Sequence, residues 1–391
     1  MGLLLVDMSA AFNLVARQII VPKLRMIGIG KFAAKLIDSY LTGRKSRTKI
    51  SGIYSDWIEV FTGIGEGSVL GPLIFILTIL CVSVVLQRVA ARLQEHHAIT
   101  AQIDDATYHA DVSLSSTEFA DDCTGVAVCK TEQQVQTSLS IMSEEFRAYF
   151  EAHGLKINVD KSEHLVLGHA RTIKDVKIDG RSEAKSVKLL GITFNNKFAF
   201  HDHATNIVNK MSSRIGQLKK IIPYADEKTS NMLATSIITS VASYGAEVYA
   251  KDKQVTNRIQ VKMNQAMRMI TCSGNRTPIN TMLKKLNWLK FDELVIYNKV
   301  MLFEKIAHVA NAAPFSRMLI VRGMMQVQVR YEVRERDLRI AWRPKTMKRG
   351  DRAFLVSAAR CYNQIKVAGR GLDKDAMKDH VKTTLMSWRK S

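Results

Sequence analysis

Short apolar runs separated by turn residues mark the strands of this chain. Residues 1–6 are apolar up to Asp7, and in residues 119–130 apolar residues stand on both sides of Asp121-Asp122. Runs of this length beside turn residues predict buried strands, the second folded into a tight hairpin. Residues 47–62 alternate around a Ser-Gly turn as another hairpin does, and single strands are predicted within 155–168 and at 187–194.

Helical spacing dominates the remainder. Residues 131–153 carry apolar side chains every three or four positions and stop at Gly154, which is typical of an amphipathic helix. Residues 14–42 show the same spacing, with predicted breaks at Pro22 and at 28–30. Beyond residue 200, helices are predicted at 202–221, 226–250, 253–272, 279–287 and 291–310. Strands and helices are both expected up to residue 200, and helices beyond it, which fits an α+β fold.

Residues 69–86 are apolar almost throughout, and two interpretations are open. The run is nearly long enough to cross a bilayer. However, Pro72 directly after Gly71 is typical of the first turn of a helix, and no basic cluster flanks the run. We therefore expect a buried core helix here and not a membrane span.

Positive charge is in large excess, with 57 Lys and Arg against 36 Asp and Glu and a formal net charge of +21. This indicates a polyanionic partner, either nucleic acid or an anionic membrane, unless the chain is merely a soluble basic protein. The excess is concentrated in residues 315–391, with 19 Lys and Arg against 7 Asp and Glu, and in Arg44, Lys45, Arg47 and Lys49. We expect these regions to bind RNA or DNA with strong salt dependence and little sequence preference.

Cysteine usage and the N-terminus indicate an intracellular protein. The five cysteines are scattered and form no Cys-x-x-Cys pair, which argues against a disulfide framework or a zinc knuckle. Residues 1–7 lack the basic start of a secretory signal, and Asp7 interrupts the apolar run. The expected location is nuclear or cytoplasmic.

The candidate metal-binding residues are aspartates at two places in the chain. Asp7 ends one apolar run, and Asp121-Asp122 lies between two others. A carboxylate at the end of a buried strand is costly unless it is paired or holds a cation, although a single aspartate there is commonly a cap or turn residue. Two such strand ends side by side would supply hard oxygen ligands for divalent cations. Another pair, Asp104-Asp105, has no apolar strand behind it and is interpreted as a solvated loop.

Five short motifs follow one another along the chain. They are Asp7-Met-Ser-Ala-Ala-Phe12, Gly65-Glu-Gly-Ser-Val-Leu-Gly-Pro72, Phe119-Ala-Asp-Asp122, Gly154-Leu-Lys-Ile-Asn-Val-Asp-Lys161 and Leu189-Leu-Gly-Ile-Thr-Phe194. In this order they resemble the motifs of the reverse transcriptase family, and within it those of the non-LTR retrotransposon enzymes. An aromatic-Ala-Asp-Asp alone is a weak signal, whereas five motifs in sequence are specific. The resemblance covers residues 1–225 closely and the remainder loosely.

The resemblance implies catalytic roles for the matching acidic residues. Asp7 and Asp121 would bind two Mg²⁺ ions, or Mn²⁺ in their place, with Asp122 close by and the Met8 carbonyl assisting. Lys161 would act on the departing pyrophosphate, unless it is an ordinary solvated lysine.

The remaining matches would contact substrates. Phe12 would exclude a ribose 2′-hydroxyl, unless it is only a core aromatic. Gly67 and Ser68 would let the backbone approach the template and primer, which a Cβ at position 67 would hinder. The strand with Leu190 and Gly191 would lie against the primer end.

The sequence also departs from the family pattern. Glu66 stands where the family usually has Gln, Gly65 where it often has Pro, and Asn13 where Asp is commoner. Only six residues precede Asp7, whereas the family's fingers, which grip the incoming triphosphate, lie upstream of that position. We therefore expect an N-terminally truncated fragment with impaired synthesis.

The resemblance implies a three-part organisation. A polymerase palm, an antiparallel sheet with helices on one face, is expected in residues 1–200, a helical thumb in 201–314 and a basic helical region in 315–391. The implied function is RNA-directed DNA synthesis, in which deoxynucleotide triphosphates extend a DNA primer on an RNA template. The alternative is a catalytically inactive, nucleic-acid-binding remnant of a retrotransposon. No membrane partner is expected.

Overall fold

The computed structural model describes residues 1–65, 67–97, 101–103, 111–168, 175–308, 358, 361, 365 and 374–390. The chain divides into two compact units, one of residues 1–187 with 195–197 and the other of residues 188–194 with 198 onward. Glu66, the Asp104-Asp105 pair and most of 315–391 lie outside the described residues, so the expectations for them stay predictions, as does the three-part division.

The first unit contains thirteen described strands and six α-helices, named here in chain order. The strands are β1 (Gly2–Val6), β2 (Met8–Ser9), β3 (Lys45–Ser46), β4 (Lys49–Ile50), β5 (Ile53–Tyr54), β6 (Ile58–Glu59), β7 (Ala101–Ile103), β8 (Val112–Phe119), β9 (Asp122–Cys129), β10 (Lys156–Ile157), β11 (Glu163–Val166), β12 (Lys177–Ile178) and β13 (Arg181–Ser182). The helices are α1 (Ala11–Leu14), α2 (Arg17–Met26), α3 (Lys31–Leu41), α4 (Gly71–Ile79), α5 (Ser83–His97) and α6 (Glu132–Ala152).

A five-stranded sheet in the order β11-β1-β9-β8-β7 forms the centre of this unit. The strand β1 lies antiparallel between β11 and β9. The strands β8 and β9 form a hairpin with its turn where the sequence predicted it, but the first strand begins at Val112, seven residues before the predicted range. The edge strand β7 runs parallel to β8, which the sequence did not predict. The core of the sheet is therefore antiparallel, as expected of a palm, and β1 and β9 are its inner strands.

The helix α6 packs closely on the sheet, where glycine allows its approach. Thr131 and Gln134 form a capping box at its start. A Cβ at Gly125 of β9 would overlap the Met142 sulfur and lie 3.0 Å from the Phe146 ring, so only glycine fits beneath this helix. The prediction of an amphipathic helix at 131–153 is confirmed.

The apolar run at 69–86 is helical as predicted, though not as one uniform helix, and only one side of it is buried, since Leu73, Ile76 and Leu80 are exposed. The helix α4 begins at Gly71, a 3₁₀ turn follows at Leu80–Val82, and α5 continues the run. Ile74, Phe75 and Val85 are fully buried in the core of the first unit. In the described part of the chain, Gly71–Glu95 is the one helical stretch long and apolar enough to cross a membrane, a test that core helices also pass.

Pro22 does not break a helix, contrary to the sequence prediction. It lies inside α2, which continues to Met26. Ile20 and Leu24 on either side are fully buried. Packing of this apolar face outweighs the one backbone hydrogen bond that proline removes.

The second unit is mostly helical. Its elements are β14 (Ser186–Leu189), which begins in the first unit, β15 (Ile192–Asn195), α7 (His201–Lys219), α8 (Glu227–Ala234), α9 (Ser240–Ser243), α10 (Ala246–Tyr249), α11 (Lys253–Thr271), α12 (Ile279–Leu286), α13 (Phe291–His308) and a helix at Lys374–Ser387. A π-helical turn at Thr235–Thr239 joins α8 to α9.

Two predictions for this unit are wrong in detail. Residues 187–194 form the hairpin β14–β15 and not a single strand, because Leu190 and Gly191 both adopt left-handed backbone. The helix expected at 226–250 is interrupted at Tyr244-Gly245, where Gly245 has a φ of 64°. A Cβ at Gly245 would lie 2.5 Å from Ile192 Cδ1, so glycine brings this break close to the hairpin.

Candidate active site

The register of β1 on β9 brings the predicted acidic residues to one end of the sheet. Val6 pairs with Cys123, so Asp7 and Asp122 are next to each other immediately beyond that pair. Burial, followed by the charges of Asp121 and Asp7, raises the pKa of the Asp122 carboxyl above its ordinary value. The three carboxylates thus share one electrostatic environment.

A two-residue turn presents Asp121 to solvent. Phe119 pairs with Asp122, which leaves Ala120 and Asp121 as the turn between β8 and β9. Ala120 has a φ of 54°, a left-handed conformation that costs a non-glycine residue about 1–2 kcal/mol. Phe119 is 66% exposed, and both aspartates are exposed. The pairing on β9 therefore maintains a strained and open turn.

The fourth motif holds the backbone of the first. The Asp7 N–H donates to Ser162 Oγ at 3.2 Å, and the Asn158 N–H donates to the Asp7 carbonyl at 2.8 Å. Met8, which is buried, pairs with Ile157 across β2 and β10. Lys161 lies in the same turn as Ser162, with its side chain exposed. The structure thus places Lys161 in a segment that is hydrogen-bonded to Asp7.

Phe12 is supported from behind by a buried ring. It is half-buried and stacks on Phe75 of α4, with ring centroids 4.7 Å apart and an interplanar angle of 26°. The Ile64 N–H donates to the Phe12 carbonyl at 2.8 Å, and the Gly63 N–H donates to the Val15 carbonyl at 2.9 Å. These bonds attach the glycine-rich loop to the segment that follows Asp7.

Ser68 has an internal role in the glycine-rich loop. Its Oγ donates to the Gly65 carbonyl at 3.1 Å and accepts from the Gly71 N–H at 3.0 Å, so it closes the loop onto the start of α4. Gly67 has a φ of 75°, and a Cβ there would meet no atom within 4 Å. Glycine at 67 is therefore required by its left-handed backbone, and the space beside it is open.

The sequence prediction missed Arg17, which organises this region. Its guanidinium donates to the carbonyls of Gly63 and Leu41, each at 2.8 Å, and to that of Val60. Burial, then the charge of Arg44, lowers the Arg17 pKa. No sequence signal identifies such a residue, because backbone carbonyls belong to every residue type and leave no motif.

In the second unit, the Leu190-Gly191 turn rests on side chains from helices. The Tyr244 hydroxyl donates to the Leu190 carbonyl at 2.8 Å, and a Cβ at Gly191 would lie 3.3 Å from the Tyr244 ring. The Thr193 N–H donates to Nδ1 of His203 at 3.2 Å. Burial, followed by the charge of Lys210, lowers the pKa of His203.

The acidic end of the sheet fits divalent cations by its donor chemistry. Carboxylate oxygens are the ligands that Mg²⁺ prefers. A cation would offset the charges of Asp121 and Asp7, which raise the Asp122 pKa in addition to burial. Among the described residues, however, no group of three or more His, Cys, Asp or Glu side chains is arranged so that it could hold a metal ion. The donor chemistry of Asp7, Asp121 and Asp122 therefore suits a divalent cation, whereas their arrangement here is not that of a formed metal site.

The family of reverse transcriptases (RNA-dependent DNA polymerases) matches residues 2–194. Three relatives from Drosophila melanogaster are similar over a larger part of the chain. The RNA-directed DNA polymerase from mobile element jockey is 22% identical over 60% of this chain and 25% of its own length. The probable polymerase from transposon BS is 25% identical over 68% and 28%, and that from transposon X-element is 22% identical over 60% and 24%.

The chain spans about a quarter of the length of these relatives. A solved telomerase from Candida albicans, in complex with a fragment of telomeric RNA, is 10% identical with a TM-score of 0.25, covering 80% of this chain and 49% of that one. That similarity is too low to carry an argument. The family match includes all five motifs and the sheet that carries the acidic residues. Residues 2–194 thus form a domain of the reverse transcriptase family, similar to the RNA-directed DNA polymerases of these mobile elements.

Proposed function

We propose that this chain catalyses RNA-templated DNA synthesis at the strand ends that carry Asp7 and Asp121. The register that sets Asp7 beside Asp122 carries this proposal, since it brings the acidic residues of two distant motifs together. Burial, followed by the charges of Asp121 and Asp7, raises the pKa of Asp122, and shifted carboxyl groups of this kind occur often at functional sites.

Asp7 and Asp121 would hold two Mg²⁺ ions, or Mn²⁺, with Asp122 and the Met8 carbonyl nearby. When bound, such ions activate the primer 3′-hydroxyl and stabilise the charge of the leaving pyrophosphate. The chain itself would position the reactants. The hydrogen bonds from Asn158 and to Ser162 fix the backbone of Asp7, so its carboxylate needs little reorganisation.

Phe12 and Lys161 would act on the incoming deoxynucleotide triphosphate. Because Phe75 stacks behind it, the Phe12 ring resists displacement, as a wall against a ribose 2′-hydroxyl must. The exposed ammonium of Lys161 would supply positive charge or a proton to the pyrophosphate, from a turn bonded to Asp7.

In the first unit, the turn at Gly67 is the proposed contact for the backbone of the template and primer. The open space at Gly67 suits close approach of a nucleic-acid backbone, with Ser68 maintaining the loop. Leu190 and Gly191 would contact the primer end, and the helices of the second unit would serve as the thumb. We place this activity inside the cell, in the nucleus or cytoplasm, with no membrane partner.

Primer extension on an RNA template, with Mg²⁺ and deoxynucleotide triphosphates, tests the proposal. Asp7→Asn and Asp121→Asn should each lower the extension rate by about 10³-fold or more, since loss of a metal ligand removes charge stabilisation of several kcal/mol. Asp111→Asn is the matched control, because Asp111 pairs with Lys130 at the opposite end of the same hairpin. It should leave the rate nearly unchanged.

Two outcomes would contradict the proposal. One is extension that survives either substitution. The other is absence of extension by the unsubstituted chain while it still binds RNA, which would favour the inactive, nucleic-acid-binding remnant.

A further inference from the structure

A small β-ribbon at Lys45–Glu59 projects exposed side chains from the first unit. The strand β3 pairs with β6, and β4 pairs with β5. The turn residues Ser51 and Gly52 have φ values of 47° and 89°, the left-handed pair of a type I′ hairpin. None of its described strand residues is buried. Packing against the core of the unit therefore does not explain why these residue types occur in the ribbon.

One face of the ribbon interleaves cations with aromatic rings. The Arg47 guanidinium lies 3.9 Å from the centroid of the Tyr54 ring and 4.4 Å from that of Trp57. The Lys49 ammonium lies 4.9 Å from the Tyr54 centroid. A planar guanidinium held against two rings makes one continuous π surface with positive charge at its centre.

The rings of this face remain open to solvent. Tyr54 is 47% exposed and Trp57 is 58% exposed, although each ring lies beside a cation of the ribbon. Exposed rings of this size bordered by cations are typical of a binding surface, because burying them against a ligand is favourable.

The charge of the ribbon selects an anionic ligand. Residues 44–60 contain four Lys and Arg and two acidic residues, Asp56 and Glu59. Glu59 lies 3.6 Å from the Lys45 ammonium. Arg47 and Lys49 thus place positive charge beside the rings of Tyr54 and Trp57. Cations beside aromatic rings suit a nucleic-acid strand, because the cations attract its phosphates and its planar bases can stack on the rings.

We infer that the face formed by Arg47, Lys49, Tyr54 and Trp57 binds single-stranded RNA by stacking unpaired bases on Tyr54 and Trp57. This rests on the proposed function, which identifies the strand. A template is unpaired before it is copied, whereas the product leaves as a hybrid duplex whose bases are already stacked on each other. The unpaired strand offered to such a surface is therefore the RNA template.

Binding of the full chain to a short unstructured oligoribonucleotide, measured by fluorescence anisotropy, tests the inference. Tyr54→Leu and Trp57→Leu keep apolar bulk but remove the π face. Each should weaken binding by about 5- to 150-fold, the range for losing one base–aromatic stack. Tyr54→Phe and Trp57→Phe keep a ring and should bind nearly as well as the unsubstituted chain. Affinity for an RNA–DNA hybrid of the same length should change by less than about twofold in all four variants.

Phe32→Leu is the matched control, since Phe32 is an 85% exposed ring of the same unit outside the ribbon. It should leave affinity for the oligoribonucleotide unchanged. An equal loss in this control, or full affinity in the two Leu variants, would overturn the inference. So would a ring dependence seen with single-stranded DNA and not with RNA. A change in oligomeric state on sedimentation with unchanged RNA affinity would assign the face to a protein contact instead.

Primer extension by the same proteins separates this inference from the proposed function. Ring-dependent RNA binding by a chain that does not extend primers would keep the inference and reject the activity. Primer extension by a chain whose RNA binding does not depend on the Tyr54 and Trp57 rings would keep the activity and reject the inference.

Discussion

The turns at Ala120-Asp121 and Leu190-Gly191 both hold a non-glycine residue in left-handed backbone, but they are stabilised by different contacts. Each begins with a non-glycine residue in left-handed backbone, Ala120 with a φ of 54° and Leu190 with a φ of 46°. The first turn joins β8 to an inner strand of a five-stranded sheet. The second joins the two strands of the hairpin β14–β15, and a two-stranded hairpin is at best marginally stable by itself.

The two turns also differ in the contacts that stabilise them. The first depends on strand pairing and on α6, which packs against Gly125. The second depends on single side chains, the Tyr244 hydroxyl and the His203 ring. A turn in a sheet is therefore protected by many distributed bonds, whereas a turn on a lone hairpin can be loosened by changing one residue.

The largest expected effect is in the sheet. Gly125→Ala should destabilise the first unit by about 2–3 kcal/mol, because the new methyl group overlaps Met142 and overpacking of a tight core costs about that much. Chemical denaturation followed by tryptophan fluorescence measures this. Gly216→Ala is the control, since a Cβ there meets nothing within 4 Å. Equal stability of Gly125→Ala and the unsubstituted chain would mean that α6 is not held tightly on β9.

The second effect is a dependence of stability on pH in the second unit. His203 Nδ1 accepts a hydrogen bond, and burial lowers its pKa, so the folded state favours the neutral ring. The stabilisation is therefore complete above the unfolded pKa of about 6.5 and declines as pH falls below it toward the lowered folded pKa, by at most about 1.4 kcal/mol per pH unit. Unfolding curves between pH 7.5 and 5 should show this slope for the unsubstituted chain, on the order of one proton. His203→Gln should remove it, and a slope that persists would assign it to another group.

The third effect concerns the Tyr244 hydroxyl. Tyr244→Phe removes the bond to the Leu190 carbonyl but keeps the ring beside Gly191, at a cost of about 0.5–1.5 kcal/mol. Amide hydrogen exchange in β14–β15 should accelerate by about 2- to 10-fold if the hairpin opens locally. Exchange in β8–β9 serves as the internal reference and should not change. Uniform acceleration in both hairpins would contradict the idea that the two turns are supported separately.

The smallest effect is at Asp122. Its raised pKa means that ionisation opposes folding, so stability should rise as pH falls through the raised folded pKa toward the unfolded value, opposite in sign to His203. Asp122→Asn should therefore stabilise the metal-free chain at neutral pH, by less than about 0.5 kcal/mol because the side chain is largely exposed. Thermal unfolding in EDTA measures the gain. Adding Mg²⁺ should stabilise the unsubstituted chain more than the variant.

Sequence patterns identified two of the strands that carry the acidic residues, whereas the catalytic roles of those residues stay predictions. The apolar run before Asp7 and those around Asp121-Asp122 identified strands, because burial of a strand imposes a continuous local pattern. The adjacency of Asp7 and Asp122 followed from the family resemblance and not from spacing, since register is a property of two segments together. Arg17 escaped detection because its partners are carbonyls distant in sequence.

The fold predictions failed where one residue changed a local preference. Residues 187–194 were predicted as one strand because the apolar pattern continues across Leu190-Gly191, and only the left-handed backbone there divides it. Conversely, Pro22 was predicted to break a helix that packing keeps intact. Local propensity is decisive in exposed turns and is overridden in the core.

The hydrogen bonds that Arg17 donates also fix the two ends of the segment that carries the ribbon. One guanidinium binds the carbonyls of Leu41 and Val60, one before and one after the ribbon. Since both ends are held at one point, a change in the length of the segment between them adds little loop-closure entropy. Insertions in this segment should therefore be tolerated as long as residue 17 remains arginine.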